Sequence, residues 1–145
     1  MTNSRKNLRD ISTIVLFFAV INCVREVLNI FLVDFKMATL PEGATEGLVL
    51  VTQIVMAAFA LIFLIPDLYV GVKGLKVAKK PDSSKAHIVW ATILAVLSVF
   101  ALLSHISGLA QSGIVNGLIN IIGTAADVAI YVWYIVCAKQ VRKTA

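Results

Sequence analysis

The run GLVLVTQIVMAAFALIFLI, residues 47–65, holds nineteen residues without a single Asp, Glu, Lys or Arg. A helix of that length rises about 28 Å at ~1.5 Å per residue, close to the ~30 Å hydrocarbon thickness of a bilayer. In lipid every backbone donor and acceptor must be satisfied inside the chain, so an isolated apolar run of this kind has to be helical. Working outward from it, three more runs qualify. The expected spans are about 11–33, 47–70, 87–110 and 114–138. The chain is therefore expected to be all-α, a polytopic membrane protein of four transmembrane helices in an antiparallel bundle, with one domain over residues 1–145. Composition agrees. The chain is 59% hydrophobic and 14% charged with a mean hydropathy of +0.91, whereas soluble domains run nearer about half apolar and about a quarter charged.

The net charge of +5 is unevenly placed. Arg5, Lys6 and Arg9 precede the first span, Lys73, Lys76, Lys79, Lys80 and Lys85 fall between the second and third, and Lys139, Arg142 and Lys143 follow the fourth. The other two connections carry only Lys36. The positive-inside rule then predicts cytoplasmic N and C termini and a cytoplasmic middle loop. The basic balance is explained by topology and by contact with anionic headgroups of the lipid bilayer, so no nucleic acid partner is expected. The first span has the basic start of a signal peptide but no small-x-small cleavage site after it, so it is expected to be retained.

Pro41-Glu42-Gly43 marks a turn in the long outer connection, residues 34–46. Pro66 should kink the second helix, which is expected to continue past it until Pro81 stops it. Asp82, Ser83 or Ser84 can cap the third helix. A faint internal repeat pairs Asp67 with Asp127, each at the same distance before an Ala-Lys dipeptide. Cys23 and Cys137 fall at different depths and are expected to be free thiols.

The fourth span carries the clearest pattern. Asn116, Asn120, Thr124, Asp127, Tyr131 and Tyr134 recur at helical spacing and form one continuous polar face. Gly113, Gly117, Ala125 and Ala129 line a small-residue stripe beside it, which suits close packing in lipid. In the first span Asn22, Arg25, Glu26 and Asn29 share a side, Arg25 and Glu26 pointing about 100° apart. Gln53 adds a polar group from the second span, and Ser104, His105 and Ser107 from the third. By helical rise, Glu26, Asn29, Gln53, His105 and Asn120 fall about 6–10 Å outward of the membrane middle, with Asp127 near the middle. An Arg25–Asp127 pair is expected across the bundle. On the insertion scale Arg or Asp costs about 2.5–3.5 kcal/mol at a helix centre, and each Leu, Ile, Phe or Val returns about 0.3–0.6 kcal/mol. The fifteen such apolar residues of the first span return about 4.5–9 kcal/mol by that scale. Arg25 and Glu26 facing lipid would use most of that, so both are expected to meet protein or water.

Two readings of the layer stand open. One is a polar cavity, open outward, in which Asn22, Arg25, Glu26, Asn29, Gln53, His105, Asn116, Asn120, Thr124 and Asp127 bind or transport a small solute or ion. The acidic excess favours a cationic or zwitterionic solute or a proton. The other is a structural network in a non-catalytic partner or assembly subunit, in contact with a homo-oligomeric copy or a membrane partner through the Ser104, Gly108 and Ser112 stripe. Trp90, Trp133, Tyr131 and Tyr134 read as interface anchors, with pocket lining the lesser option for the tyrosines. His87 and His105 lie about 27 Å apart along one helix and cannot share a metal. Without a phosphate loop, metal-ligand spacing or nucleophile–base set, no cofactor is expected, and a membrane enzyme is only the third reading.

The segment Gly71-Val72-Lys73-Gly74-Leu75-Lys76-Val77-Ala78-Lys79-Lys80-Pro81, followed by a polar turn and a new span, resembles small, largely uncharacterised four-helix membrane proteins of Gram-positive bacteria. That resemblance implies a multi-pass protein of a bacterial plasma membrane and brings no activity with it. Small multidrug exporters carry one essential Glu in their first helix, as Glu26 would be here, but the adjoining Arg25 and the strong charge bias do not suit their dual topology. Membrane glutathione-transferase relatives place an arginine and tyrosine site on the cytoplasmic side, unlike the outward layer expected here.

Overall fold

The computed structural model describes residues 3–32, 46–82, 84–108 and 114–143, with side chains throughout except at residues 29, 32 and 114–116. The described residues form four helices: α1 Asn3–Leu32, α2 Glu46–Lys79, α3 Ala86–Ser107 and α4 Ile114–Lys143. All four are long and apolar enough to cross a membrane.

The helices outrun the apolar spans at the charged ends. α1 starts at Asn3 rather than near residue 11, and α4 continues to Lys143 rather than residue 138. Hydropathy marks only the part of a helix that needs lipid, while the backbone hydrogen-bond ladder continues wherever propensity allows, and Lys, Arg, Gln and Leu are good helix formers. α2 runs through Pro66 and ends at Lys79, next to the expected stop at Pro81. α3 is capped differently from expectation. Its N-cap is Lys85, which makes no side-chain cap bond. Asp82 instead closes a turn within the connection, accepting the Ser84 backbone N–H at 3.0 Å on one oxygen and the Lys73 ammonium at 2.7 Å on the other.

The chain divides into two compact units, one of residues 1–16 and 66–145, the other of residues 17–65. The division on α2 falls at Pro66. Proline has no N–H to donate to the preceding turn and its ring crowds the carbonyl four residues back, which removes one rung of the helix's hydrogen-bond ladder.

The first unit holds the core. Leu8, Ile11 and Val15 of α1 pack with Val70, Val77 and Ala78 of α2, Ile88, Ala91 and Ala95 of α3, and Tyr131, Tyr134, Cys137, Ala138 and Val141 of α4. Thus the first turns of α1 and α3 meet the last turns of α2 and α4. Close approach depends on two glycines. A methyl group at Gly74 would fall on the Ser12 hydroxyl and the Tyr134 ring, and one at Gly71 would fall on the Leu16 side chain. Arg5 closes the end of α2: its guanidinium donates to the carbonyl oxygens of Ala78, at 2.9 Å, and Lys79. The last carbonyls of a helix have no partner of their own, and a cation there also opposes the negative end of the helix dipole.

In the second unit α1 and α2 are joined by Gln53, whose Nε2 donates to the Ile30 carbonyl at 2.9 Å. That carbonyl belongs to the last turn of α1, so the bond satisfies a group that α1 itself leaves open. The most apolar window of α2 has none of its residues buried within the chain. Such a surface is compatible only with lipid or another apolar partner.

Candidate functional site

The expected site residues separate between the two units. Asn22, Arg25, Glu26, Asn29 and Gln53 lie in the second unit, and His105, Asn116, Asn120, Thr124 and Asp127 in the first. The side chains of Asn29 and Asn116 lie outside the described set. Asn22, Gln53, His105, Asn120, Thr124 and Asp127 are half-buried, whereas Arg25 and Glu26 are exposed. Several of these groups are satisfied close to home. Thr124 donates to the Asn120 carbonyl one turn back, at 2.8 Å. Thr52 and Thr92 do the same to Leu48 and Ile88, also at 2.8 Å. This is the usual way a hydroxyl is accommodated in an apolar helix.

Arg25 and Glu26 pair with each other, Nη2 to Oε1 at 3.1 Å, with side chains 47% and 52% exposed. Neighbours that leave the helix about 100° apart can still meet because both side chains are long enough to bend together. Glu26 thus has a partner from its own helix. A cavity of about 390 Å³ lies beside this pair; among the described residues it is lined by Val20, Ile21, Val24, Arg25 and Leu28.

The densest polar constellation lies in the first unit, where α2 meets α4. The Tyr131 hydroxyl donates to the Asp67 carboxylate at 2.6 Å. Asp127, one turn before Tyr131, lies within electrostatic range of both. The next turn of the same face carries Tyr134, fully buried, whose hydroxyl donates to the Val70 carbonyl at 2.9 Å. His87 stands edge-on to the Tyr134 ring, centroids 6.1 Å apart. Its imidazole is 2% exposed, and neither ring nitrogen has a hydrogen-bond partner among the described residues.

Two expectations change here. Tyr131 and Tyr134 are core residues rather than interface anchors, because each finds an acceptor on α2, which offsets the burial of its hydroxyl. Trp90 and Trp133, by contrast, are exposed on the helix surface. Asp67 belongs to the site although the sequence pattern placed it near a boundary. The available signal was the Asp127–Tyr131 spacing of one turn together with the Asp67–Asp127 repeat. Neither feature alone reveals that α2 supplies the acceptor.

Chemically, two half-buried carboxylates within electrostatic range repel one another when both are ionised. A proton or a cation relieves that repulsion, and Tyr131 holds one carboxylate in place through one of its oxygens. Comparison with protein-family models, with curated proteins and with solved structures finds no match.

Proposed function

We propose that this chain is a multi-pass protein of a bacterial plasma membrane, with both termini and the α2–α3 connection cytoplasmic, that binds a small cationic or zwitterionic solute or a proton at intramembrane carboxylates. The observation that carries the reading is the Asp67–Tyr131 bond of 2.6 Å with Asp127 in electrostatic range. A half-buried carboxylate at bilayer depth is costly to keep, and ionisable groups within membrane spans commonly mark ion or solute paths. Asp127 stood at the floor of the outward layer expected from the sequence, so the proposal keeps it and adds Asp67 and Tyr131 as its companions.

The test is equilibrium binding to the purified chain in lipid nanodiscs, with Na⁺, K⁺, tetramethylammonium and betaine as probes and proton release followed in parallel. Asp127→Asn should lower the affinity of whichever probe binds by about tenfold or more, equivalent to ~1.4 kcal/mol, with thermal unfolding unchanged. Glu26→Gln is the matching test for the outward residues of the second unit. Absence of binding and of proton release across the whole panel would sink the reading.

A second reading is favoured by a separate observation. The intramembrane hydroxyls of Thr52, Thr92 and Thr124 are bonded to their own helices, and Gln53 is bonded to the end of α1. Groups satisfied in this way build a structural network, as in a non-catalytic assembly subunit. Under that reading Asp127→Asn changes unfolding and leaves every binding measurement untouched.

A further inference from the structure

We infer that the α1 face bearing Arg25 and Glu26 docks a second copy of this chain, the two copies exchanging Arg25–Glu26 ion pairs about a two-fold axis. The inference stands apart from the Asp67–Asp127 site. It starts from a conflict: Arg25 and Glu26 are 47% and 52% exposed within an apolar span, outward of its middle. The residues around them, Val20, Ile21, Val24 and Leu28, are exposed as well. This face therefore presents two charges within a surface that is otherwise fit for lipid. Among the described residues, the bond between them engages one guanidinium nitrogen and one carboxylate oxygen, and lipid tails offer no partner to the rest.

The occupant has to meet two demands. It must bring an apolar surface to the exposed α1 face of Val20, Ile21, Val24 and Leu28. It must also present a carboxylate and a cation at the same membrane depth as Arg25 and Glu26. A second copy meets both. Arg25 and Glu26 differ by one residue, about 1.5 Å of rise, so a two-fold axis along the membrane normal sets the cation of each copy level with the carboxylate of the other. An adjacent pair of opposite charges is self-complementary under that symmetry, as an isologous interface requires. The result is a closed arrangement of four charges, each with a partner in its own helix and one across the interface.

The experiment uses the full chain, labelled near its C terminus with donor or acceptor dyes and reconstituted in vesicles at increasing lipid dilution. Wild type should show energy transfer above random proximity that falls as lipid is added. Arg25→Glu and Glu26→Arg, each alone, should lose association by about tenfold or more, because each presents like charges to its own copy. Mixed together they should associate again, and the Arg25→Glu/Glu26→Arg double reversal should associate with itself. Arg25→Met/Glu26→Leu, which is fully compatible with lipid and inserts without difficulty, should be monomeric, and it decides the matter if a charged variant does not insert. Wild type without transfer above random proximity, an apolar variant that associates like wild type, or an inserted charge-reversed mixture that stays apart would each overturn the inference. So would a monomeric wild type that co-purifies with the helix of a different protein.

Discussion

Asp67, Tyr131 and Gly74 show how much one residue decides in this bundle. Tyr131 reads in the sequence as one more aromatic at a membrane boundary, and only its bond to Asp67 turns it into part of a polar site. The face of α4 was legible because helical periodicity fixes which residues share a side. Its counterpart on α2 was not, because periodicity says nothing about which helix stands opposite. Gly74 looked like part of a low-specificity stretch, yet it sits where the Ser12 hydroxyl and the Tyr134 ring leave no room for a methyl group. Gly74→Ala should therefore lower stability by about 1–3 kcal/mol, the usual range for overpacking. Gly47, where an added Cβ meets nothing, serves as the control. There the change to Ala should be neutral or gain up to about 1 kcal/mol of helix propensity. Reversible unfolding in mixed micelles checks both, and equal effects at the two glycines would count against the packing argument.

α2 is the element in which local rules and tertiary structure interact most. Pro66 was legible as an interruption, and it lies where the chain divides into its two units. The capping expected around Asp82 concerned the right residues with the wrong role. Asp82 organises the α2–α3 connection through Lys73 and the Ser84 amide and leaves α3 uncapped by any side chain. The Lys73 hydrogen bond, assisted by the Ser84 N–H, holds the Asp82 carboxyl below its ordinary range despite some loss of hydration. A carboxyl whose folded value is depressed contributes stability above its unfolded value and loses that contribution as pH falls through the folded one. The turn should thus be intact at neutral pH and open only on acidification below the ordinary Asp range. The Ser84 amide shift in a pH titration reports this, and Asp82→Asn should abolish the Lys73-dependent part of the transition. A turn that opens above that range would contradict the assignment. Neither Arg5, which closes the end of α2 from α1, nor Gln53, which closes the end of α1 from α2, was legible as a cap. Both act across more than twenty residues of sequence, and capping rules read only a helix's own flanks.

At the scale of the whole molecule, charge and hydropathy set the frame. Arg5, Lys6 and Arg9, the α2–α3 lysines, and Lys139, Arg142 and Lys143 all flank the end of the bundle where the packed core lies. By the positive-inside rule that end is expected to be cytoplasmic, as the proposed orientation has it. A reporter active only inside the cell should work when fused after Ala145 and when inserted at Lys85, and stay silent when inserted near Glu42. Activity at Glu42 alone would invert the orientation. The sequence by itself determined four helices long and apolar enough to cross a membrane, because long apolar runs have no other stable form in lipid and their lengths match the bilayer. It also determined the polar face of α4, through periodicity alone. Only the tertiary structure decided that the core gathers where α1 and α3 begin and α2 and α4 end, that Asp67 joins Asp127 and Tyr131, and that Arg25 turns to Glu26 on its own helix. The physical reason is that hydropathy is a property of each segment against its solvent. Partner choice depends on side chains from segments far apart in sequence, and on the few places where a glycine lets those segments touch.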